Sequence, residues 1–490
     1  MYRLFKVGSA ALAFCCTCEM ASTLCFAQTT LDLAHDPELL AKNYQLPLSP
    51  SGNSENLPGS FSDIRNFLTA SSAEDCFGLA SYLHDHGYYP SLQLAQDLYA
   101  SPTYGLRDTS MEHQQSVYGQ LHVDLAKAFN IPDAWLHMRI SNNYSRKNRN
   151  IGSQVGAYPF ALVPPSYQRN KVIYFFYEQK LLDKRLTYNI GRKSVAAFFL
   201  DEFSGWDFAS RSWGFANLVS PPFPSMWGAS VKYQFTSAWY VKAGVHEYNT
   251  KLGPTNGWVW STASSPGWTG LAEIGRHQGF ADNRYPSHYE LAFYNIHAPQ
   301  NDPYYTEQGQ SRAFNPKQSA QTHKDNKGLL LTAGKVIWRA DNGPTAGNTP
   351  TAATVFGGIG NTLSNWTASG VNTDAYVGTS LLNPFGNSPN DAVGLKVEWT
   401  RLTSREQHWL EERNLAAGGT GYEQRRNTTS VQLFGQFNLT RNLSTQAFVM
   451  YGFNPNLAFN SSSTDTPTSG YAFGVNFTYN LTGLIGLGPP

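Results

Sequence analysis

The chain has 490 residues and a formal net charge of +1, and 14% of its residues are charged while another 14% are aromatic. The near-zero net charge argues against a nucleic-acid partner, because phosphate binding calls for a basic face. Ordinary soluble domains are about 25% charged, so the shortage of charge indicates a surface rich in aromatic and uncharged polar groups. The length fits two or three soluble domains or one large all-β unit.

The first 27 residues have the three regions of a secretory signal peptide. Arg3 and Lys6 precede an apolar run, and small residues follow up to Ala27. This pattern predicts export with cleavage after Ala27. The apolar run is too short for a membrane anchor. Because Cys76 is the one cysteine beyond this segment, no disulfide framework is expected.

Residues 28–75 are polar and lack periodicity, which predicts an extension in the periplasm. Residues 76–87 predict a short amphipathic helix, since apolar residues from Phe77 to Leu83 recur at helical spacing and Gly87 ends the pattern. The sequence His84-Asp85-His86 does not predict a metal site, because neighbouring residues on a helix point in different directions.

Most of the remaining chain consists of segments in which apolar and polar residues alternate. Such alternation is typical of a strand whose two faces meet different environments. The clearest segments are Val117–Leu125, Leu136–Ile140, Ala229–Phe235, Trp239–Val245, Val393–Trp399 and Tyr471–Tyr479. Beyond residue 27 no stretch approaches the ~18 to 20 apolar residues of a membrane-spanning helix. The sequence therefore predicts strands.

The connections between these segments are of two kinds. Short turns at 182–185 and 440–442 contrast with long irregular stretches. The long stretches are 200–226, 249–269, 296–327, 340–352 and 403–427. Outer-membrane barrels have short turns at one end and long loops at the other. Residues 76–490 thus predict an all-β, transmembrane, antiparallel up-and-down barrel of about 16 strands, wide enough for an aqueous channel.

The polar faces of the segments mix Tyr, Gln, Gly, Ser and His with scattered charges, which suits a wet lumen rather than a surface in bulk water. Aromatic rings near strand ends are expected to form girdles at the two membrane interfaces. The candidate girdle rings are Trp135, Tyr174, Trp227, Trp239, Trp338 and Trp399.

The order of the segments resembles the carbohydrate-selective porins of the OprB family over about residues 76–480. The resemblance is carried by the helix before the strand Leu92–Tyr99, and by Tyr177–Asp183, Ile190–Arg192, Asp201–Phe203, Phe215–Asn217, Val355–Gly360, Pro389–Gly394, Tyr451 and Asn454-Pro455. It implies an outer-membrane barrel that admits monosaccharides and related sugars through a constriction of polar and charged side chains. Two departures from the family pattern are Glu74–Gly78, where Trp-Gly-Gly is usual, and Gly334-Lys335, where Asp-Gln is usual.

The expected function is passive diffusion of small sugars or polyols across the outer membrane of a Gram-negative bacterium. No cofactor is expected, and catalytic motifs are absent from the sequence. The expected partners are the sugar or polyol and outer-membrane lipid. Candidates for the charged pore lining are Arg139, Glu178, Arg192, Lys232, Lys242 and Glu290. Trp206 and Trp213 are candidates for stacking on sugar rings, if the 200–226 loop enters the pore.

Three alternatives remain open at the level of sequence. A general or ion-selective porin shares every argument for the barrel and differs only at the constriction. A secreted β-rich carbohydrate-binding protein or hydrolase would bury the apolar faces between two sheets. A structural or adhesive barrel would have a plugged lumen. The sequence does not predict the oligomeric state, the preferred sugar, or the roles of residues 28–75 and 481–490.

Overall fold

The structure is a computed structural model. It describes residues 78–106, 111–145, 155–156, 170–193, 226–248, 267–280, 282–341, 350–367, 369–386, 388 and 391–487. The predicted signal peptide, the extension 28–75, Trp206 and Trp213 lie outside these residues. Among the residues that are described, no helix is long and apolar enough to cross a membrane.

Sixteen strands form one closed barrel in which every neighbouring pair is antiparallel. The barrel strands are β1 (Tyr88–Ala100), β2 (Glu112–Asp124), β3 (Ala134–Ser145), β4 (Asn170–Leu181), β5 (Leu186–Lys193), β6 (Met226–Gln234), β7 (Trp239–Tyr248), β8 (Gly267–Gln278), β9 (Ser287–His297), β12 (Asn326–Arg339), β13 (Ala352–Thr362), β14 (Val371–Leu382), β15 (Ala392–Leu402), β16 (Asn427–Thr440), β17 (Leu443–Phe453) and β18 (Gly470–Asn480). Two further strands, β10 (Gln300–Thr306) and β11 (Ala320–His323), pair with each other outside the barrel. The predicted all-β barrel of about 16 strands is confirmed.

Four helices occur among the described residues. They are α1 (Leu79–Asp85), α2 (Leu125–Phe129), α3 (Ser404–Ala416) and α4 (Leu481–Leu484). Helix α1 occupies the centre of the predicted helix 76–87. The prediction of an irregular stretch at 403–427 was wrong, because α3 begins there with Thr403 accepting a hydrogen bond from the backbone N–H of Glu406. Thr403-x-x-Glu406 is a capping-box sequence that the strand-based interpretation overlooked.

Successive connections alternate between the two ends of the barrel. At one end, here called the short-turn end, the chain turns at 125–133, 182–185, 235–238, 279–286, 340–351, 383–391 and 441–442. At the other, the long-loop end, the described strand ends show that the chain passes from β1 to β2, β3 to β4, β5 to β6, β7 to β8, β9 to β12, β13 to β14, β15 to β16 and β17 to β18. Most of the long connections share one end, as expected for a barrel in an outer membrane. The predicted long stretch 340–352 is an exception, because it joins β12 to β13 at the short-turn end.

The two faces of the strands have opposite chemistry. Along β15, Leu395 and Val397 are exposed, whereas Lys396 and Glu398 on the alternate face are buried. The strands β7, β9, β12 and β16 repeat this pattern. Soluble proteins bury apolar and expose charged side chains. The barrel therefore has an apolar outer surface, as a barrel surrounded by lipid requires, and its polar face lines the interior.

The aromatic girdle prediction holds for some rings and fails for others. Trp239 and Trp338 lie on the outward face, with 40% and 49% of their surfaces exposed. Trp135 and Tyr174 instead share register with the inward residues His137 and Arg139, and Tyr174 is buried. Their positions in the alternation match the polar residues of the same strands, so neither ring reaches the lipid.

The outward face gives a direct test of the membrane assignment. Val377 lies at the middle of β14 and has 62% of its surface exposed, while Leu182 in a short turn has 63%. We expect Val377→Arg to lower the free energy of unfolding in lipid vesicles by about 2 to 4 kcal/mol, because it places a cation at mid-membrane. Leu182→Arg should have little effect. Denaturant titration of both variants in vesicles measures the difference, and equal effects would contradict a lipid-facing β14.

The barrel closes where β18 pairs with β1, from Gln93 opposite Asn480 to Ala100 opposite Phe473. Helix α4 continues from β18 along the part of β1 that β18 does not reach. The backbone N–H of Leu92 donates to the hydroxyl of Thr482, and the side chain of Asn480 accepts from the backbone N–H of Gly483. The segment after the last strand thus covers an otherwise unpaired edge of the first strand.

Candidate functional site

Three of the predicted pore-lining residues meet on the inner wall of β6, β7 and β9. Lys232 and Lys242 are opposite each other across the β6–β7 pair. The ring of Tyr240 lies close to both ammonium groups, 4.3 Å from that of Lys232 and 5.1 Å from that of Lys242. The Tyr240 hydroxyl donates to a carboxylate oxygen of Glu290 at 2.7 Å. This arrangement concentrates two cations and one anion around a single aromatic ring.

Further contacts neutralise part of this charge within the wall. The Lys242 ammonium lies 3.2 Å from the carboxylate of Glu273, and both side chains are buried. Thr332 donates a hydrogen bond to the second oxygen of Glu290 at 3.0 Å. Because Glu273 and Thr332 come from β8 and β12, the polar network spans five strands of the barrel, and sequence alone does not bring these residues together.

Two other predicted residues lie on the inner wall farther along the barrel. The guanidinium of Arg139 on β3 lies 4.4 Å from the ring centroid of Tyr118 on β2. Arg139 pairs with Tyr174 on β4, whereas Glu178 on β4 pairs with Trp135. Both charged side chains are buried. Arg139 and Glu178 therefore occupy the same part of the wall at different depths.

Arg192 differs from the other five candidates. It pairs with Phe175 on β4 and Trp227 on β6, which lie in the outward register. Its guanidinium lies 5.8 Å from the centroid of the Trp227 ring. Its own side chain is only 1% exposed, because the alternation of β5 breaks at Gly191 and the last three residues of the strand are all buried. Arg192 is therefore a buried cation at the end of β5, away from the exposed apolar surface.

The structure adds inward residues that the sequence interpretation missed. His122 and His137 face each other across β2 and β3, with their Nδ1 atoms 2.7 Å apart. On β15 the Lys396 ammonium donates to Glu398 at 2.9 Å. The alternation of Lys396 and Glu398 with Leu395 and Val397 contained the signal for the second pair. The histidine pair depends on the β2–β3 register, which the sequence does not state.

The departure from the family pattern at Gly334-Lys335 lies within β12. Gly334 faces inward, and a Cβ added there would overlap the ring of its cross-strand partner His288. Lys335 is exposed on the outward face. The two positions therefore place one glycine, and no charge, on the inner wall.

Two long-end loops, 298–325 and 403–426, are joined by a group that we call the loop latch, consisting of Asp302, His323 and Arg405. Asp302 in β10 is fully buried. Its carboxylate contacts the guanidinium of Arg405 in α3 and lies 2.7 Å from the His323 ring nitrogen in β11. The Trp366 ring, from the 363–370 loop, stacks on His323 with centroids 4.6 Å apart. The latch fixes the β10–β11 hairpin against α3.

Electrostatics in the latch favour an ionised Asp302. Burial alone would raise its pKa, but hydrogen bonds from the backbone N–H groups of Tyr305 and Tyr304 and from His323, together with the charge of Arg405, hold the pKa below its ordinary value. A second contact ties the same elements together, since the Tyr304 hydroxyl donates to Glu412 of α3 at 2.8 Å.

Glu406 is the residue after Arg405 of the latch, and its pKa is raised where that of Asp302 is lowered. Burial raises the pKa of its carboxyl to about 7, against the influence of Arg312 and with a further contribution from Asp302. In a capping box the glutamate side chain ordinarily accepts a hydrogen bond from the backbone N–H of the N-cap residue. Here the backbone N–H of Thr403 donates instead to the carbonyl of Gly370. A Cβ at Gly370 would overlap the Glu406 side chain, so the carboxyl is packed closely against the 363–370 loop.

Metal-ligating side chains do not converge in the described part of the chain, where no group of three or more His, Cys, Asp or Glu could hold an ion. His84 is buried and stacks on Tyr89, with ring centroids 5.0 Å apart. His86 contacts the carbonyl of Tyr82 in its own helix segment. These contacts account for the two histidines of the His84-Asp85-His86 sequence.

Comparisons with known proteins agree with this architecture. The family described as "Carbohydrate-selective porin, OprB family" matches residues 108–479. The high-pH structure of Pseudomonas putida OprB superimposes with a TM-score of 0.67 at 18% identity, covering 83% of this chain and 99% of that one. The low-pH structure of the same protein gives 0.49 at 15% identity, covering 84% and 98%. No functionally curated protein matches the sequence.

Proposed function

Since the chain belongs to the carbohydrate-selective porin, OprB family, we propose that it admits monosaccharides and small polyols by passive diffusion through the outer membrane of a Gram-negative bacterium. The observation that carries the proposal is the closed sixteen-strand barrel with an apolar outward face and a polar inward face. A barrel of this size encloses an aqueous channel. No chemical step is required.

The inner wall supports a preference for uncharged solutes. Its opposite charges lie next to each other, as in the buried pairs Lys242–Glu273 and Lys396–Glu398. Charges that neutralise one another within the wall offer an ion little net attraction, while the less buried Lys232 can donate to a solute hydroxyl. A sugar that loses water hydrogen bonds on entering a narrow pore can replace them there and still leave.

Five of the candidate residues, Arg139, Glu178, Lys232, Lys242 and Glu290, are proposed to line the solute path. The inward register of their strands supports this assignment. Arg192 stays a candidate, because its side chain is buried like those of the others although its pairing partners, Phe175 and Trp227, lie in the outward register. The network around Tyr240 holds three of the five, and Lys232, which is not buried, is the best candidate for direct contact with the solute.

Liposome swelling with purified, folded protein tests the proposal. Glucose, a disaccharide and a small charged solute of similar size to glucose are compared at equal osmolarity. Fast glucose entry with slower passage of the other two solutes supports a sugar-preferring pore. Entry ordered by size alone would make the protein a general porin, and no swelling from a folded barrel would make it a plugged or structural one.

Removing one member of a wall pair should change ion selectivity. We expect Lys242→Ala to raise the ratio of cation to anion permeability by about twofold or more, because Glu273 then carries an uncompensated charge on the inner wall. Lys335→Ala removes the same charge from the outward face and is the matched control. Reversal potentials in a salt gradient measure both variants, and an equal response would argue against Lys242 lining the path.

A further inference from the structure

Aromatic side chains on the inner wall repeatedly lie opposite glycine on the neighbouring strand. We call five of these residues the ring belt. The pairs are Tyr240 with Gly275, Tyr294 with Gly328, Phe356 with Gly378, Phe434 with Gly394, and Phe448 with Gly474. All five rings are buried. The pairs occur from β7 to β18, and in each of them the two residues are direct cross-strand partners.

The rings fill the space that a side chain on the opposite glycine would need. At Gly275 and Gly328 the three atoms nearest to an added Cβ all belong to the tyrosine opposite, and each position would overlap that ring. At Gly474 the nearest atoms belong to Phe448 and Tyr99, from the strands on either side. Each ring thus extends sideways over the glycine of the next strand.

A ring that lies along the sheet takes up less of the lumen than a ring that stands perpendicular to it. Side chains on strands ordinarily stand about perpendicular to the sheet, and an upright tyrosine or phenylalanine would project toward the axis of the barrel. The ring belt lies along the wall because glycine leaves the necessary space. Contacts between rings extend the layer, with centroids 6.5 Å apart for Phe356 and Phe434 and 6.2 Å apart for Tyr99 and Phe448.

We propose that the ring belt and its glycines set the width of the channel and thereby determine which sugar sizes pass. The inference rests on the proposed porin function and names the residues that discriminate by size. A methyl group on one of these glycines would lift the ring away from the wall and narrow the channel. Because the rings are buried, loss of a ring alone should leave the width about unchanged, and it should cancel the narrowing that the methyl group causes.

A purely stabilising role is the competing explanation, because an aromatic ring over a strand glycine also strengthens a sheet. The two explanations differ in what a double substitution does. If the ring sets the width, removing Phe448 from a Gly474→Ala protein reverses the narrowing. If the contact only stabilises, the two changes both destabilise and neither alters conductance of the folded barrel.

The experiment compares full-length protein carrying Gly474→Ala, Phe448→Ala or both in planar bilayers and swelling assays. Gly119 in β2 is the control position, since a Cβ there comes no closer than 3.4 Å to another residue. We expect Gly474→Ala to lower single-channel conductance about twofold and to slow a disaccharide more than glucose. Phe448→Ala and the double variant should conduct at about the unsubstituted level, because the Phe448 ring is buried.

Equal conductance for Gly474→Ala and Gly119→Ala, in barrels verified as folded, would overturn the proposal. So would a double variant that conducts as poorly as Gly474→Ala. Small-ion conductance reports the width whether or not sugars pass. Failure of the proposed sugar uptake would therefore appear in swelling of the unsubstituted protein, separately from failure of the ring-belt proposal.

Discussion

Replacement of Asp302 by alanine is expected to release the β10–β11 hairpin from α3 while the barrel stays closed. The substitution leaves Arg405 and His323 without the carboxylate that both contact. Removing one partner of a fully buried charge pair costs about 3 to 5 kcal/mol, and the cost here should be smaller, because the Arg405 and His323 side chains that remain are 23% and 22% exposed. That cost is confined to the loops, since β10 and β11 pair with each other and not with a barrel strand.

Hydrogen exchange measures the release directly. Amides of 300–323 and 404–416 should lose protection in Asp302→Ala, whereas those of the barrel strands should not change. Glu423→Ala provides the control in the same loop, because its bridge to Arg425 is exposed and worth little. Unchanged protection in both segments would show that other contacts, such as Tyr304 with Glu412, are sufficient to hold the hairpin.

Replacement of Glu406 by glutamine should remove a pH dependence from the same loops. The folded-state pKa of about 7 exceeds the ordinary value of 4.5, so the folded protein favours the protonated carboxyl. The stabilisation is complete below pH 4.5 and is lost as the pH rises through about 7. The difference between those pKa values corresponds to roughly 3 kcal/mol. Glutamine keeps the uncharged form and should hold the loops at full stability throughout this range.

Protection factors of α3 between pH 5 and about 8, corrected for intrinsic exchange rates, test the effect. They should fall with rising pH in the unsubstituted protein and stay level in Glu406→Gln. The exposed Glu423→Gln should behave like the unsubstituted protein. The pH dependence that Asp302 contributes has the opposite sign. Because its pKa is lowered in the folded protein, its contribution to stability is lost only as the pH falls below 3.8. A fall that persists in Glu406→Gln would assign the pH response to another group.

The alternation of side chains predicted the barrel because it records two environments, lipid and lumen, along each strand. It also placed Lys232, Lys242 and Glu290 on the polar face. It did not predict that Tyr240 would join them, because that contact depends on which strands are neighbours and in what register. The pairing of His122 with His137 was hidden for the same reason.

The wrong predictions for 403–427 and for two of the girdle rings have local causes. Helix α3 lies in a stretch that lacks the strand alternation, and its signal in the sequence is the capping-box pair Thr403 and Glu406. Trp135 and Tyr174 were assigned to the membrane interface from residue type alone. Their inward positions follow from the two-residue period of β3 and β4, which is a stronger guide to direction than aromatic character.

The contact between Thr482 and Leu92 spans 390 positions of sequence. Contacts this distant carry a large loop-closure cost and form late in folding. The strands β2 to β17 can assemble as hairpins with their neighbours in sequence, but the seam of β1 and β18 requires both ends of the sheet to meet. Thr482 and α4 therefore act at the last step of assembly. A change in this segment should alter how long the barrel remains open during assembly more than how it conducts once closed.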